Sequence, residues 1–229
     1  MNPLIEFLIE IKGIPETSII LLLMLPIVAT IIAFWRQFIG LSTFGIYAPI
    51  LITFAFYQLS LTPSNNTNLL QGLKYGLALA VVVFVTAALA HELTKKIRLH
   101  YLPKMSILLS LVAIGVFATL VAASYLNKGG FISVDILPLL LMITVSEQMI
   151  SIYIKKGKKS AYILTIGTLF ISTLAYVLIS WDWLQKTMLA YPYISPLMLV
   201  LDLIIGKWSG LRLNEYFKFK SVITQSESD

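Results

Sequence analysis

Residues 17–35 run for nineteen positions without one charged side chain, and the chain repeats this pattern along almost its whole length. Further apolar runs lie at 43–61, 70–90, 105–126, 134–154, 160–180 and 188–206. Each is close to the roughly 20 residues a helix needs to cross about 30 Å of hydrocarbon. Backbone polar groups in lipid must be satisfied within the segment, and none of the runs alternates like a barrel strand, so helices are expected. The chain reads as an all-α integral membrane protein with seven transmembrane helices. It divides into a short extracytoplasmic segment 1–16, a membrane domain 17–206 and a cytoplasmic tail 207–229. With 58% hydrophobic and 12% charged residues in 229, no separate aqueous catalytic domain fits.

The few charges set the orientation. Arg36, Lys95, Lys96, Arg98, Lys104, Lys155, Lys156, Lys158, Lys159, Lys207, Arg212, Lys218 and Lys220 fall in one set of alternate connections. Only Lys12, Lys128 and Lys186 fall in the other, with Lys74 at the start of the third run. Lys and Arg concentrate on the cytoplasmic side of short loops, which places the N-terminus outside and the C-terminus in the cytoplasm. The net charge of +6 therefore reads as membrane topology and contact with anionic lipid headgroups, not as nucleic-acid binding. The first run follows Glu6, Glu10 and Glu16 and lacks a small-x-small cleavage site, so it reads as a retained helix and not a signal peptide. Residues 3–11 are either a surface-lying amphipathic stretch or a disordered lead. Trp181, Trp183, Tyr191 and Tyr193 flank an outer edge, as an aromatic belt does.

An offset of 89 residues lays Gly45-Ile-Tyr-Ala-Pro49 on Val134-Asp-Ile-Leu-Pro138 and helices 1–3 on helices 4–6. Three crossings per unit would make this an inverted repeat, with the seventh helix outside it, the plan by which many transporters build a central site. Gly45, Pro49, Pro138, Gly206 and Gly210 are then candidate helix breaks or hinges.

An ionisable side chain inside a span needs a partner, a water-filled cavity or a task. Glu147 shares a helix face with Thr144 and Gln148, so it is either a coupling carboxylate or a structural one bonded to a neighbouring helix. Asp202 stands a turn short of the end of the last run, where an ion pair is expected. Arg36 closes the first run as a snorkelling anchor, or, pointing inward, as a grip for an anion. Arg212 and Glu215, three apart, would share a helix face and form an ion-pair network or a docking surface. These five form the candidate polar cluster.

No catalytic residue, metal site or cofactor is implied. There are no cysteines, and His91 and His100 stand nine apart, failing the H-E-x-x-H spacing. Glu92 and Lys96, at i and i+4, read as an interfacial ion pair. No nucleophile elbow, phosphate loop or dinucleotide fingerprint is present.

Three stretches carry a resemblance. Arg36-Gln-Phe-Ile-Gly40-Leu-Ser-Thr43-Phe44-Gly45-Ile-Tyr-Ala-Pro49, with Ala55-Phe56, is the first; Asp135-Ile-Leu-Pro138 followed by Glu147-Gln148 is the second; Gly206-Lys-Trp-Ser-Gly210-Leu-Arg212-Leu-Asn-Glu215-Tyr-Phe-Lys218-Phe219 is the third. Together they resemble a bacterial seven-transmembrane domain usually fused, on its N-terminal side, to an inactive transglutaminase-like domain. Gln148, where that family often has Arg, and Lys207, Trp208 and Lys218 are departures. The Gly…Pro-Ile-Leu pattern is also similar to the small membrane subunit of poly-γ-glutamate synthases. The resemblance implies a non-enzymatic membrane subunit of a peptide or polyglutamate production or export system, working as channel or docking platform. It implies, as partners, a cytoplasmic ATP-grasp ligase and a periplasmic transglutaminase-like protein, besides membrane lipids. Only 16 residues precede the first run, so such a domain is expected on a separate polypeptide or lost. An independent secondary transporter using Glu147 is the alternative.

Overall fold

The structure, a computed structural model, describes residues 3–61, 68–95, 100–125 and 136–207, with backbone alone at Leu4 and Ala123. Among these the chain is helical, with no strand. A short helical lead, α1 (Pro3–Glu6) and a π-helical turn (Phe7–Ile11), buries Ile5, so this stretch packs instead of trailing. The membrane helices follow: α2 (Glu16–Phe34, extended by a π-helical turn Trp35–Ile39), α3 (Tyr47–Ser60), α4 (Leu69–Thr94), α5 (Tyr101–Tyr125), α6 (Ile136–Lys156), α7 (Lys158–Ile179), α8 (Asp182–Ala190) and α9 (Ile194–Lys207).

Five helices are long and apolar enough to cross a membrane: Glu16–Ile39, α4, α5 within Tyr101–Ala122, α6 and α7. The remaining two expected spans differ from the sequence reading. The run 188–206 is cut at Tyr191-Pro192-Tyr193, where α8 and α9 meet at 107°, because the residue before a proline is pushed out of the helical region. The run 43–61 is helical only from Tyr47 to Ser60, about 21 Å at 1.5 Å per residue, and its first four residues form a turn.

That short helix is the hub. Ten of the fourteen residues of α3 are buried, and α4, α6, α7 and α2 surround it. It approaches α4 tightly where Gly72 and Gly76 lie one turn apart. A methyl on Gly76 would strike the Phe56 ring, and one on Gly72 would strike Ser60, the Phe56 carbonyl and the Tyr176 hydroxyl. In lipid, where apolar burial does not drive helices together, such small-residue contacts and interhelical hydrogen bonds do. Phe56 then meets Tyr176 edge to face at 5.9 Å, and the Tyr176 hydroxyl donates to the Leu69 carbonyl at 3.0 Å. Toward α7 the exchange is reciprocal: Thr53 Oγ1 lies 3.2 Å from the Ser172 carbonyl and Ser172 Oγ 3.1 Å from that of Pro49.

At the periphery, α5 packs on α4 and α6, and α9 on α2. Their outer faces stay apolar and exposed, as at Ile114, Phe117, Leu199 and Leu203. A soluble protein would not expose such faces; lipid covers them.

Pro49 and Pro138 each occupy the third position of their helices, in the first turn, where the missing N–H breaks no helical bond. Neither bends a helix midway; Pro26 is the proline that stands inside one, α2. The helices carrying the two aligned prolines pack on each other but differ in length, fourteen residues against twenty-one. Gly206 is helical, with open space around it. Gly210, Arg212, Glu215, Asp135, Lys96, Arg98 and the tail beyond Lys207 lie outside the described residues.

Candidate functional site: two polar cavities around an inward loop

The helices alternate in direction, so Arg36, Lys95, Lys104, Lys155, Lys156, Lys158, Lys159 and Lys207 gather at one end of the bundle, and Lys12, Lys74 and Lys186 at the other. At the basic end, residues 40–46 do not stay at the surface. The Phe44 N–H donates to Thr168 Oγ1 at 3.1 Å, and the Ser42 carbonyl sits where Gly167 has no side chain. Thr168 is ten residues along α7 from Lys158, so the loop descends about 15 Å, half of the hydrocarbon thickness. Irregular backbone at that depth is tolerated only where protein buries it or a wet cavity adjoins it. Here Thr43 and Phe44 are buried, and polar-lined cavities adjoin the rest of the loop.

The local sequence explains the turn. Pro49 has no N–H to give the Gly45 carbonyl, and Thr43 Oγ1 supplies the missing donor at 2.9 Å. Gly45 has φ +74°, a conformation that side chains with a Cβ rarely adopt, and nothing crowds it. Phe44 is buried at the apex. Thr43, Phe44, Gly45 and Pro49 are therefore parts of one device, a loop that turns back at mid-depth and starts α3 there.

Two cavities flank this loop. The larger, about 690 Å³, is lined by Arg36, Lys156 and Asp202 with Ser42, Thr43 and Gly206. The smaller, about 480 Å³, takes in Phe44, Gly45, Thr144, Glu147 and Gln148. The expected polar cluster is thus divided: Arg36 and Asp202 share one cavity, and Glu147 belongs to the other. Arg36 lies in the π-helical turn that ends α2 before Gly40, a local widening often found where helices serve a function. Thr144 bonds its own helix at the Leu140 carbonyl, which leaves Glu147, Gln148 and Ser151 as the other polar groups of that wall. Asp202 is not in an ion pair with any described residue, and its Oδ1 is buried without a hydrogen-bond partner among them. α9 carries it into the larger cavity, facing neither lipid nor a fixed cation.

Lys96, the partner expected for Glu92, lies outside the described residues, and the Glu92 carboxylate meets Lys158 Nζ of α7 at 2.6 Å and accepts from the Tyr153 hydroxyl of α6 at 2.6 Å. His91 is buried with its ring 4.3 Å from that of Tyr153. No group of three or more His, Cys, Asp or Glu residues among those described could hold a metal.

Sequence reasoning missed Lys156, Thr168, Tyr153 and the Gly72–Gly76 pair. The glycine pair had a signal, the G-x-x-x-G spacing in an apolar run, as did Thr165, Thr168 and Ser172, which recur at helical spacing on one face of α7. Lys156 had none, since it sits in a lysine run that reads wholly as a topology marker.

The geometry defines a polytopic membrane domain with a basic, cavity-bearing face. Over residues 2–223 the chain matches the family described as seven transmembrane helices usually fused to an inactive transglutaminase, and it belongs to that family. No curated protein and no solved structure matches it.

Proposed function

We propose that this chain is a non-enzymatic membrane subunit of a bacterial peptide or polyglutamate production or export system, receiving an anionic chain or its ligase at the basic end. The observation that carries the reading is the larger cavity. It opens at the end where the lysines collect, offers Arg36 and Lys156 to an anion, and holds in Asp202 a carboxylate with a free lone pair for an ammonium or amide N–H. A peptide or a polymer of amino acids presents both kinds of group. The basic end is the cytoplasmic one in this reading, which places the N-terminus outside an inner membrane, on the side of a periplasmic transglutaminase-like partner. The family's usual fusion supports that association, and a cytoplasmic ATP-grasp ligase is the expected supplier at the other face.

The test is affinity purification from the native membrane, with Arg36→Ala and Arg212→Ala in parallel and co-purifying chains identified by mass. Recovery of an ATP-grasp ligase or a transglutaminase-like protein, with the ligase reduced by either substitution, is the expected result. Recovery of this protein alone would refute it.

One observation favours a second reading. Glu147 lies nine residues from the basic end of α6, about 14 Å deep, on a cavity wall, which is where an independent transporter would keep a coupling carboxylate. That reading requires flux in vesicles holding this protein alone, abolished by Glu147→Gln.

A further inference from the structure

A third cavity, about 400 Å³, lies outside both polar ones and has a different character. It is a groove between α4 and α7, which scarcely touch each other, with Met149 and Tyr153 of α6 as its floor. α4 runs toward the basic end and α7 away from it, so the two walls are in register: Glu92 faces Lys158 at the mouth, and Val81 and Leu169 close the far end. Each wall covers eleven steps of helix, about 16 Å. That is half of the roughly 30 Å hydrocarbon core, the depth of a single leaflet. Below the mouth the lining is apolar, since the Thr165 hydroxyl is spent on the Ala161 carbonyl of its own helix.

The mouth is polar and pre-formed. Glu92 holds Lys158 Nζ at 2.6 Å and is itself held by Tyr153. An ammonium has three donors; Glu92 and the Tyr153 hydroxyl engage Lys158 on one side, and the side chain is 57% exposed, which leaves a donor for a headgroup. Lys95, Lys155 and Lys159 are exposed at the same end, and the neighbourhood is net basic.

We propose that this groove is a specific binding site for an anionic glycerophospholipid of the leaflet at the basic end, one acyl chain lying between α4 and α7 and the headgroup phosphate on Lys158. An apolar slot one leaflet deep with a positioned cation at its rim matches the two ends of that molecule. A phosphate alone would leave the slot empty, and a zwitterionic lipid gains less from the surrounding lysines. This inference does not depend on the proposed function.

Native mass spectrometry of the full chain in detergent, titrated with phosphatidylglycerol, phosphatidylcholine or glycerol phosphate, tests it. One retained phosphatidylglycerol is expected, favoured over phosphatidylcholine by about tenfold, because the two share the phosphate that meets Lys158 but only the second brings a choline cation up to the surrounding lysines. Lys158→Gln should lower retention of phosphatidylglycerol and narrow that preference. Ala88→Phe, which fills the slot without changing charge, should lower retention of both lipids; if that variant does not fold, Val85→Trp on the same wall replaces it. Equal retention of the two lipids by the native protein, or undiminished phosphatidylglycerol on the filled slot, would overturn the proposal. So would glycerol phosphate competing as well as the whole lipid, which would mark a free-phosphate site.

Discussion

Phe44 and Thr168, 124 positions apart in the chain, are joined by a backbone-to-hydroxyl hydrogen bond of 3.1 Å that fixes the wall between two cavities to the middle of α7. Thr168→Val keeps the shape and removes the acceptor, leaving the Phe44 N–H unsatisfied. A buried donor stranded in this way costs about 1–3 kcal/mol. Thermal unfolding in detergent should fall accordingly for Thr168→Val and hardly at all for Thr168→Ser, which retains an oxygen.

The α3–α4 contact predicts a graded glycine series. Gly76→Ala must displace the Phe56 ring, and overpacking of this kind costs about 1–3 kcal/mol. Gly72→Ala should cost more, because it meets the Phe56 carbonyl, a backbone atom that cannot swing aside. Gly206→Ala meets nothing and should be neutral or slightly stabilising. Equal melting temperatures for all three would contradict the packing described.

Glu92 and Lys158 join two helices that otherwise barely meet, and both are substantially exposed. Their coupling, read from a double-mutant cycle with Glu92→Gln and Lys158→Gln, should be small and shrink as salt rises. A coupling indifferent to ionic strength would mean that the pair is shielded from water.

The absence of cysteine makes topology directly measurable. In intact cells lacking an outer-membrane barrier, Lys186→Cys should react with a membrane-impermeant maleimide, and Lys104→Cys should react only after lysis. The reverse pattern would invert the orientation inferred from the lysine and arginine distribution.

How much of this was legible beforehand varied with the physics behind each feature. Spans such as α2, α4 and α7 were visible because a helix in lipid must be apolar along its whole length. The shortening of α3 was hidden by the same rule: Phe44 and Ile46 are as apolar in a turn as in a helix, so hydropathy could not separate them. The relevant clues were local, Thr43 two residues before Gly45 and Pro49 four after it, and they describe a carbonyl in need of a donor more than a change in hydropathy. The interruption at Pro192 was written in the sequence and was overridden by the length of the run. Arg36, Glu147 and Asp202 stood out as charges in apolar surroundings, and all three line cavities. Their division between two cavities depends on the path of the 40–46 loop, and so does the inclusion of Lys156 with Arg36, which no spacing along one helix encodes.

The inward loop also alters the electrical shape of the membrane at this point. Water entering the two flanking cavities would carry the potential of the basic side down to the level of Thr168, leaving about 15 Å of the roughly 30 Å to sustain the transmembrane voltage. A charge crossing the full drop would still exchange about 2.3 kcal/mol per 100 mV, but within a field roughly twofold steeper. Thiol-modification rates at Ser42→Cys should therefore respond to applied voltage, and at Lys104→Cys they should not. Equal indifference at both sites would mean that the cavities are dry. The fourteen residues of α3 are, in this sense, the protein's insulator.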